Sequence, residues 1–248
     1  MSLNPPPSPS PPPTPSPSHL PPPLTFSPLQ KKTSILICTL ALLTSDLLLP
    51  LLLYYTLSRH TSISLAINLG VSCASLGLCE FLELPLRGYR LISHPEKYAP
   101  LGSPDSPSLF ARLDFFFWWY ALATIVGIVP YVLATSLDEP IPWLFLYTPG
   151  LLVGFAALTG VASVCTCACN VRILRCWCKV SGERCKPFVY YVLEDFVAVD
   201  AGQGRAWRAQ LRARWKGSPM FRRVLWEVNV GWVVGGGVFC AALAGIVW

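Results

Sequence analysis

Apolar residues in this chain gather in long runs, not in the short alternating stretches that build a soluble core. Five runs stand out, at roughly 33–57, 62–85, 114–136, 143–170 and 225–248. Each reaches the ~20 helical residues that cross a hydrocarbon layer. The pattern predicts an all-α fold, a polytopic transmembrane helix bundle of about five spans. Residues 1–30 read differently, with thirteen prolines and no charged side chain, a composition of extended, disordered chain. Residues 187–199 are apolar apart from Glu194 and Asp195, and are too short to span. Asp200-Ala-Gly-Gln-Gly204 reads as a turn, followed by a helix from about 204 to 216 that Gly217, Ser218 and Pro219 end. The expected organisation is a tail (1–30), a four-span region (31–170), a basic loop (171–224) and a fifth span (225–248).

Composition supports a membrane class. Hydrophobic residues make up 53% and charged residues 13%, against about 25% charged in soluble domains. With the loops alternating across the membrane, eighteen of the nineteen Lys and Arg residues fall on one side, and only Arg59 falls on the other. Basic loops are retained in the cytoplasm, so the N-terminus and the loops after spans two and four are expected there. The net charge of +6 lies beside spans, where anionic lipid headgroups are the nearest partner, so nucleic acid is not expected. Residues 1–30 lack the basic start and apolar middle of a secretory signal, and insertion falls to the first span. A proline-rich tail is also a docking site for partner proteins with a Pro-recognising module, or else a plain disordered leader. Endoplasmic reticulum and plasma membrane both fit.

The spans carry a few chemically distinctive residues. Asp46 lies near the middle of the first, with Pro50 one turn later, where a kink is expected. The second holds Asn68, Gly70-x-x-x-Ala74, Glu80 and Glu83, and is expected to stop at Pro85. The third opens on Asp114 and an aromatic belt, Phe115 to Tyr120. The fourth offers Gly150-x-x-x-Gly154, and the fifth Gly231-x-x-x-Gly235 and Gly237-x-x-x-Ala241-x-x-x-Gly245, spacings that let helices approach closely in lipid. A carboxylate at the bilayer centre costs about 2.5–3.5 kcal/mol on insertion scales, which makes Asp46, Glu80 and Glu83 the candidate catalytic or proton-relay groups. The plainer reading pairs Glu80, Glu83 and Asp114 with Arg87, Arg90 or Arg112, and gives Asp46 an interhelical hydrogen bond to Asn68 or a serine of span two.

Two features of the basic loop invite a lipid reading. Cys165, Cys167, Cys169, Cys176 and Cys178 sit in C-x-C spacings flanked by Arg172, Arg175 and Lys179, suited to S-palmitoylation. A metal is not expected, because neighbouring sulfurs in C-x-C on a helix point nearly opposite ways and C-x-x-C pairing is absent. In the helix after the turn, Trp207, Leu211 and Trp215 share one face while Arg205, Arg208 and Arg212 occupy another. That pattern belongs to a cytoplasmic amphipathic helix lying in the headgroup plane. Gly202-Gln-Gly204 lacks the rest of a phosphate loop, and no cofactor is expected.

The run Glu194-Asp195-Phe-Val-Ala-Val-Asp200-Ala-Gly-Gln-Gly204-Arg205, with Ser218-Pro219-Met-Phe221-Arg222, resembles a segment of uncharacterised multipass membrane proteins of filamentous fungi. The likeness centres on residues 187–223. It implies membrane residence and a shared element between the last spans, carries over no site residues, and implies a further span beyond Trp248. The functional expectation is a non-enzymatic transport component or membrane accessory protein. The alternative is a membrane-embedded, cyclase-like enzyme acting on a hydrophobic small molecule, with a neutral carboxylic acid of the spans as proton donor.

Overall fold

In the computed structural model, the described residues are Leu24, Phe26, 32–75, 78–101, 112–136, 141–168 and 186–247. They are all-helical, and four helices are long and apolar enough to cross a membrane. These are α1 (Lys32–His60), α5 (Phe115–Ser136), α6 (Pro142–Ala168) and α9 (Pro219–Val247). Only 6% of the most apolar stretch of α1, and of α9, is buried. Rows of exposed Leu, Ile and Val of this length are what a membrane-crossing helix presents to lipid.

α1 contains a widened π turn at Thr44–Leu48. Pro50 explains its place. The proline offers no N–H to the carbonyl one turn earlier, and its ring would clash there. Letting the helix widen relieves the clash, as π bulges do.

The second expected span is built from two helices, α2 (Leu65–Ala74) and α3 (Leu78–Ser93), with residues 76–77 outside the described set. Pro85 does not end α3, contrary to the sequence reading. The helix continues because burying Arg87 and Leu91 outweighs the hydrogen bond that the proline removes. A short α4 (Pro95–Tyr98) follows.

α5 begins at its own N-cap, Asp114, which accepts from the Phe117 N–H at 2.9 Å. α9 starts six residues before the expected boundary. Ser218 accepts from the Phe221 N–H (3.2 Å), and Pro219 takes the first helical position, where its missing N–H is harmless.

α6 and α9 form the most extensive helix pair. The Asn229 amide donates to the Gly160 carbonyl (3.5 Å), and the Cys240 thiol to that of Gly150 (3.2 Å). The glycines divide by face. A Cβ on Gly160 would lie 2.6 Å from Val233, and one on Gly236 would lie 3.0 Å from the Ala157 Cβ. Added at Gly70, Gly231, Gly235, Gly237 or Gly245, it would meet nothing within 4 Å. The spaced glycines of the sequence reading therefore contribute unequally. Gly150 closes on Leu243, whereas the Gly231/Gly235 pair faces away from the bundle. Gly236→Leu is expected to destabilise the protein by about 1–3 kcal/mol through overpacking, and Gly235→Leu to leave it unchanged. Thermal unfolding in detergent micelles reads both.

At one end of the bundle lies a helical cap. It comprises α7 (Phe188–Asp195), which runs into a π turn at Phe196–Asp200, and α8 (Gly204–Gly217). Its core joins Tyr190, Val197, Ala198, Val199, Trp207 and Leu211 to Leu91 of α3 and Leu225 of α9.

Candidate functional site

Four elements converge under the cap on a buried cluster of charge. Arg87 comes from α3, Asp114 from the N-cap of α5, Asp195 from the end of α7, Asp200 from the end of its π turn, and Arg208 from α8. Arg87, Asp114, Asp195 and Arg208 are all buried. Arg87 grips Asp114 in a fork, Nη2 to Oδ2 at 2.6 Å and Nε to Oδ1 at 3.4 Å, and also pairs with Asp200. Its guanidinium lies over the Phe116 ring, 4.8 Å from the centroid. Arg208 pairs with Asp195, reaches Asp114 Oδ2 at 3.3 Å, and lies 3.9 Å from Glu194. It also donates to the Tyr98 carbonyl of α4 at 3.3 Å.

The carboxylates serve backbone groups as well. Asp195 Oδ2 accepts from the Phe116 N–H (3.0 Å), so both Asp114 and Asp195 sit at the positive N-terminal end of α5. α7 is fixed at its other end, where the Phe188 N–H donates to Ser163 Oγ of α6 (3.1 Å). The aromatic belt holds it there. Phe115 packs on Phe188 and Tyr191, and Trp119 on Phe188 and Phe155. Part of the belt thus grips protein.

The turn feeding α8 depends on glycine. Gly202 and Gly204 have φ of +73° and +65°, and a Cβ at Gly204 would lie 2.8 Å from the Lys97 carbonyl oxygen. This close approach brings Arg208, one turn later, onto Tyr98 and the acids.

Two guanidiniums thus meet four carboxylates in a region that water barely reaches, and Lys186 and Arg212 also act on Glu194. Burial raises Glu194 to about 7, with the Asp195 charge adding and Arg208 opposing. Burial likewise raises Asp195 to about 6, with Asp114 adding and Arg208 opposing. Asp200 also rises to about 6 through burial, against the pull of Arg87. Burial acts to lower both arginines, but the acids around them outweigh it and hold each firmly charged.

A family model described as a domain of unknown function, DUF8766, matches residues 13–248. The chain belongs to the DUF8766 family. The match takes in most of the proline-rich tail, every helix of the cluster and α9. No curated protein and no solved structure matches the chain.

The structure redistributes the residues singled out in this DUF8766 chain. Asp46 lies in the π turn of α1 and accepts from Ser45 Oγ (2.8 Å), while Asn68 donates to the Tyr54 carbonyl (3.2 Å). Glu83 is exposed on α3. Glu80 lies on the same helix, with its side chain outside the described set. Asp114 does pair with Arg87, one of the three arginines expected for it.

Three of the six α8 residues expected at the lipid surface have no surface left for lipid. Trp207 is 3% exposed, Leu211 0% and Arg208 1%, and all three are enclosed by protein. Trp215 is half-buried against Tyr190, with ring centroids 5.2 Å apart. Arg205 and Arg212 are also half-buried. The apolar face found its partner within the chain, in the helix α7 that the sequence had left without one. Cys165 is exposed near the end of α6 with a free thiol. The side chains of Cys167, Cys169, Cys176 and Cys178 lie outside the described set.

Arg87, Asp195 and Asp200 were not among the predicted site residues. A signal was present: acidic residues interrupting an otherwise apolar run need a buried partner. Which arginine would supply it is not encoded locally.

Proposed function

We propose that this protein is a multi-pass membrane component without enzymatic activity, either part of a transport system or an accessory. In this reading its N-terminus, the α3–α5 connection and the cap are cytoplasmic. The observation that carries the functional reading is the ion cluster. Its carboxylates are matched to two arginines and to backbone N–H groups, and they tie α3, α4, α5, α7 and α8 into one unit. Acids used this way act as a structural lock.

Parity supports five spans. Leu24 and Phe26, ahead of α1, pack against the same core as Leu91 and Trp207, which in this reading puts an even number of crossings between them. α1 supplies one crossing, and the return before Leu91 falls to α2 with the first part of α3. α5 and α6 then bring the chain back to the cap, and α9 leaves it. Among the described residues, the basic ones fall on the cap's side in this reading except Arg59, in keeping with retention of positive charge. Anionic headgroups are assigned to the outer basic residues of α8, Arg205, Arg212, Arg214 and Lys216, and acylation to Cys165, Cys167, Cys169, Cys176 and Cys178. Endoplasmic reticulum and plasma membrane are both compatible.

One observation favours the alternative of a membrane-embedded enzyme acting on a hydrophobic small molecule. Asp46 lies in a π turn, a feature frequent at functional sites. Metabolite profiling compares the parent, a strain lacking the protein and a strain carrying Asp46→Asn, Glu80→Gln and Glu83→Gln together. The lock reading expects the triple variant to match the parent. A product lost both in the deletion and in the triple variant would establish the enzyme reading instead.

A further inference from the structure

We infer that α8 and its neighbours form a peptide-binding face whose ligand is the chain's own proline-rich tail, seated through Leu24 and Phe26 against Trp207. Phe26 meets the Trp207 indole edge-on, with centroids 5.8 Å apart and planes at 72°. Leu24 and Phe26 both pack on the core that contains Leu91, Tyr190, Leu211 and Leu225. The two residues are neither helical nor in a strand, and both reach the same core. In a tail of proline, serine and threonine, Leu24 and Phe26 are among the few apolar side chains able to anchor it.

Physical chemistry favours this occupant over a foreign one. Five residues lie between Phe26 and Lys32, the first residue of α1, a tether of at most about 20 Å. A short tether presents the tail at millimolar effective concentration, so contacts too weak to hold a free peptide suffice in cis. Three consecutive prolines, Pro21 to Pro23, precede Leu24. They stiffen the chain before it docks and reduce the entropy lost on docking. Trp207 Nε1 is buried and finds no acceptor among the described residues. An extended proline-containing segment carries carbonyls without internal hydrogen bonds, the acceptor class that such an indole N–H takes.

The docked tail would cover part of the Trp207 face of α8, beside the surface that α7 already covers. It would thereby link the first span to the cap. A Pro-recognising partner would retain residues upstream of Leu20 but would have to displace Leu24 and Phe26 to take the rest.

The test replaces Phe26 with the photo-crosslinker p-benzoylphenylalanine in the full-length protein in membranes, followed by irradiation and peptide mapping. The expected adduct is intramolecular, within residues 204–217. An adduct to lipid or to another polypeptide, or none at all, would overturn the inference. Hydrogen exchange on Leu24→Ser/Phe26→Ser supplies a second arm. Amides of 204–212 should exchange about tenfold faster while those of α6 and α9 hold, and unchanged rates at 204–212 would count against docking. If the serine variant unfolds, the photo-adduct, formed in an otherwise native chain, decides. Glycosylation mapping tests the topology separately, so the two readings fail on different results.

Discussion

Arg208→Met is expected to destabilise the folded protein by about 3–5 kcal/mol, the range for removing one partner from a buried ion pair. Arg208 is 1% exposed and neutralises Asp195 and Asp114 directly, so methionine leaves two buried carboxylates sharing Arg87. Methionine roughly fills the volume, which separates the lost charge from a lost side chain. Unfolding midpoints in detergent micelles, followed by circular dichroism, measure the change. The paired variant Arg208→Met/Asp195→Leu should recover a substantial part of the loss, since it removes the stranded acid along with its partner. A single variant as stable as the parent would show that the cluster holds nothing together.

The second large effect is a stability that falls as pH rises from about 4 to about 7. Glu194, Asp195 and Asp200 titrate higher in the folded protein, at about 7, 6 and 6, than their ordinary values of 4.5, 3.8 and 3.8. Between the ordinary and the raised values, the folded state binds more protons than the unfolded chain. Raising pH through that window therefore removes stability, by roughly 1 kcal/mol per pH unit for each group. The contribution is fully present below about pH 4 and gone above about pH 7. Glu194→Gln should flatten the upper part of the curve, because the amide cannot ionise. Denaturant unfolding at pH 5, 6, 7 and 8 checks this, and a stability that climbs across the range would contradict the burial of the acids. The two predictions are linked. The loss from Arg208→Met should be smaller at pH 5, where Asp195 can take a proton instead of its arginine.

Much of the architecture is legible in the sequence. Runs of twenty or more apolar residues needed no tertiary help to be recognised, because lipid imposes its thickness on each helix separately. α5 and α6 accordingly begin within one residue of expectation. The turn at Asp200–Gly204 was also readable, since two glycines at left-handed φ are a local backbone demand. Local signals misled at Pro85, where burial of Arg87 and Leu91 carried the helix through a proline.

α8 is the sharper lesson. Its two-faced pattern was correct, but an apolar face next to an arginine face states only that two different environments are needed. Lipid and headgroup satisfy that demand, and so do a protein core and a set of buried acids. The choice was settled by α7, a helix too short to span and too apolar to stay in water, which brought Glu194 and Asp195 with it. Sequence alone determined which helices are long and apolar enough to cross a membrane and where along the chain positive charge gathers, because both follow from nearest-neighbour composition. Which arginine meets which aspartate, and that Phe26 rests on Trp207 about 180 residues away, only the tertiary structure decided, because such pairings depend on the simultaneous placement of helices that share no local pattern.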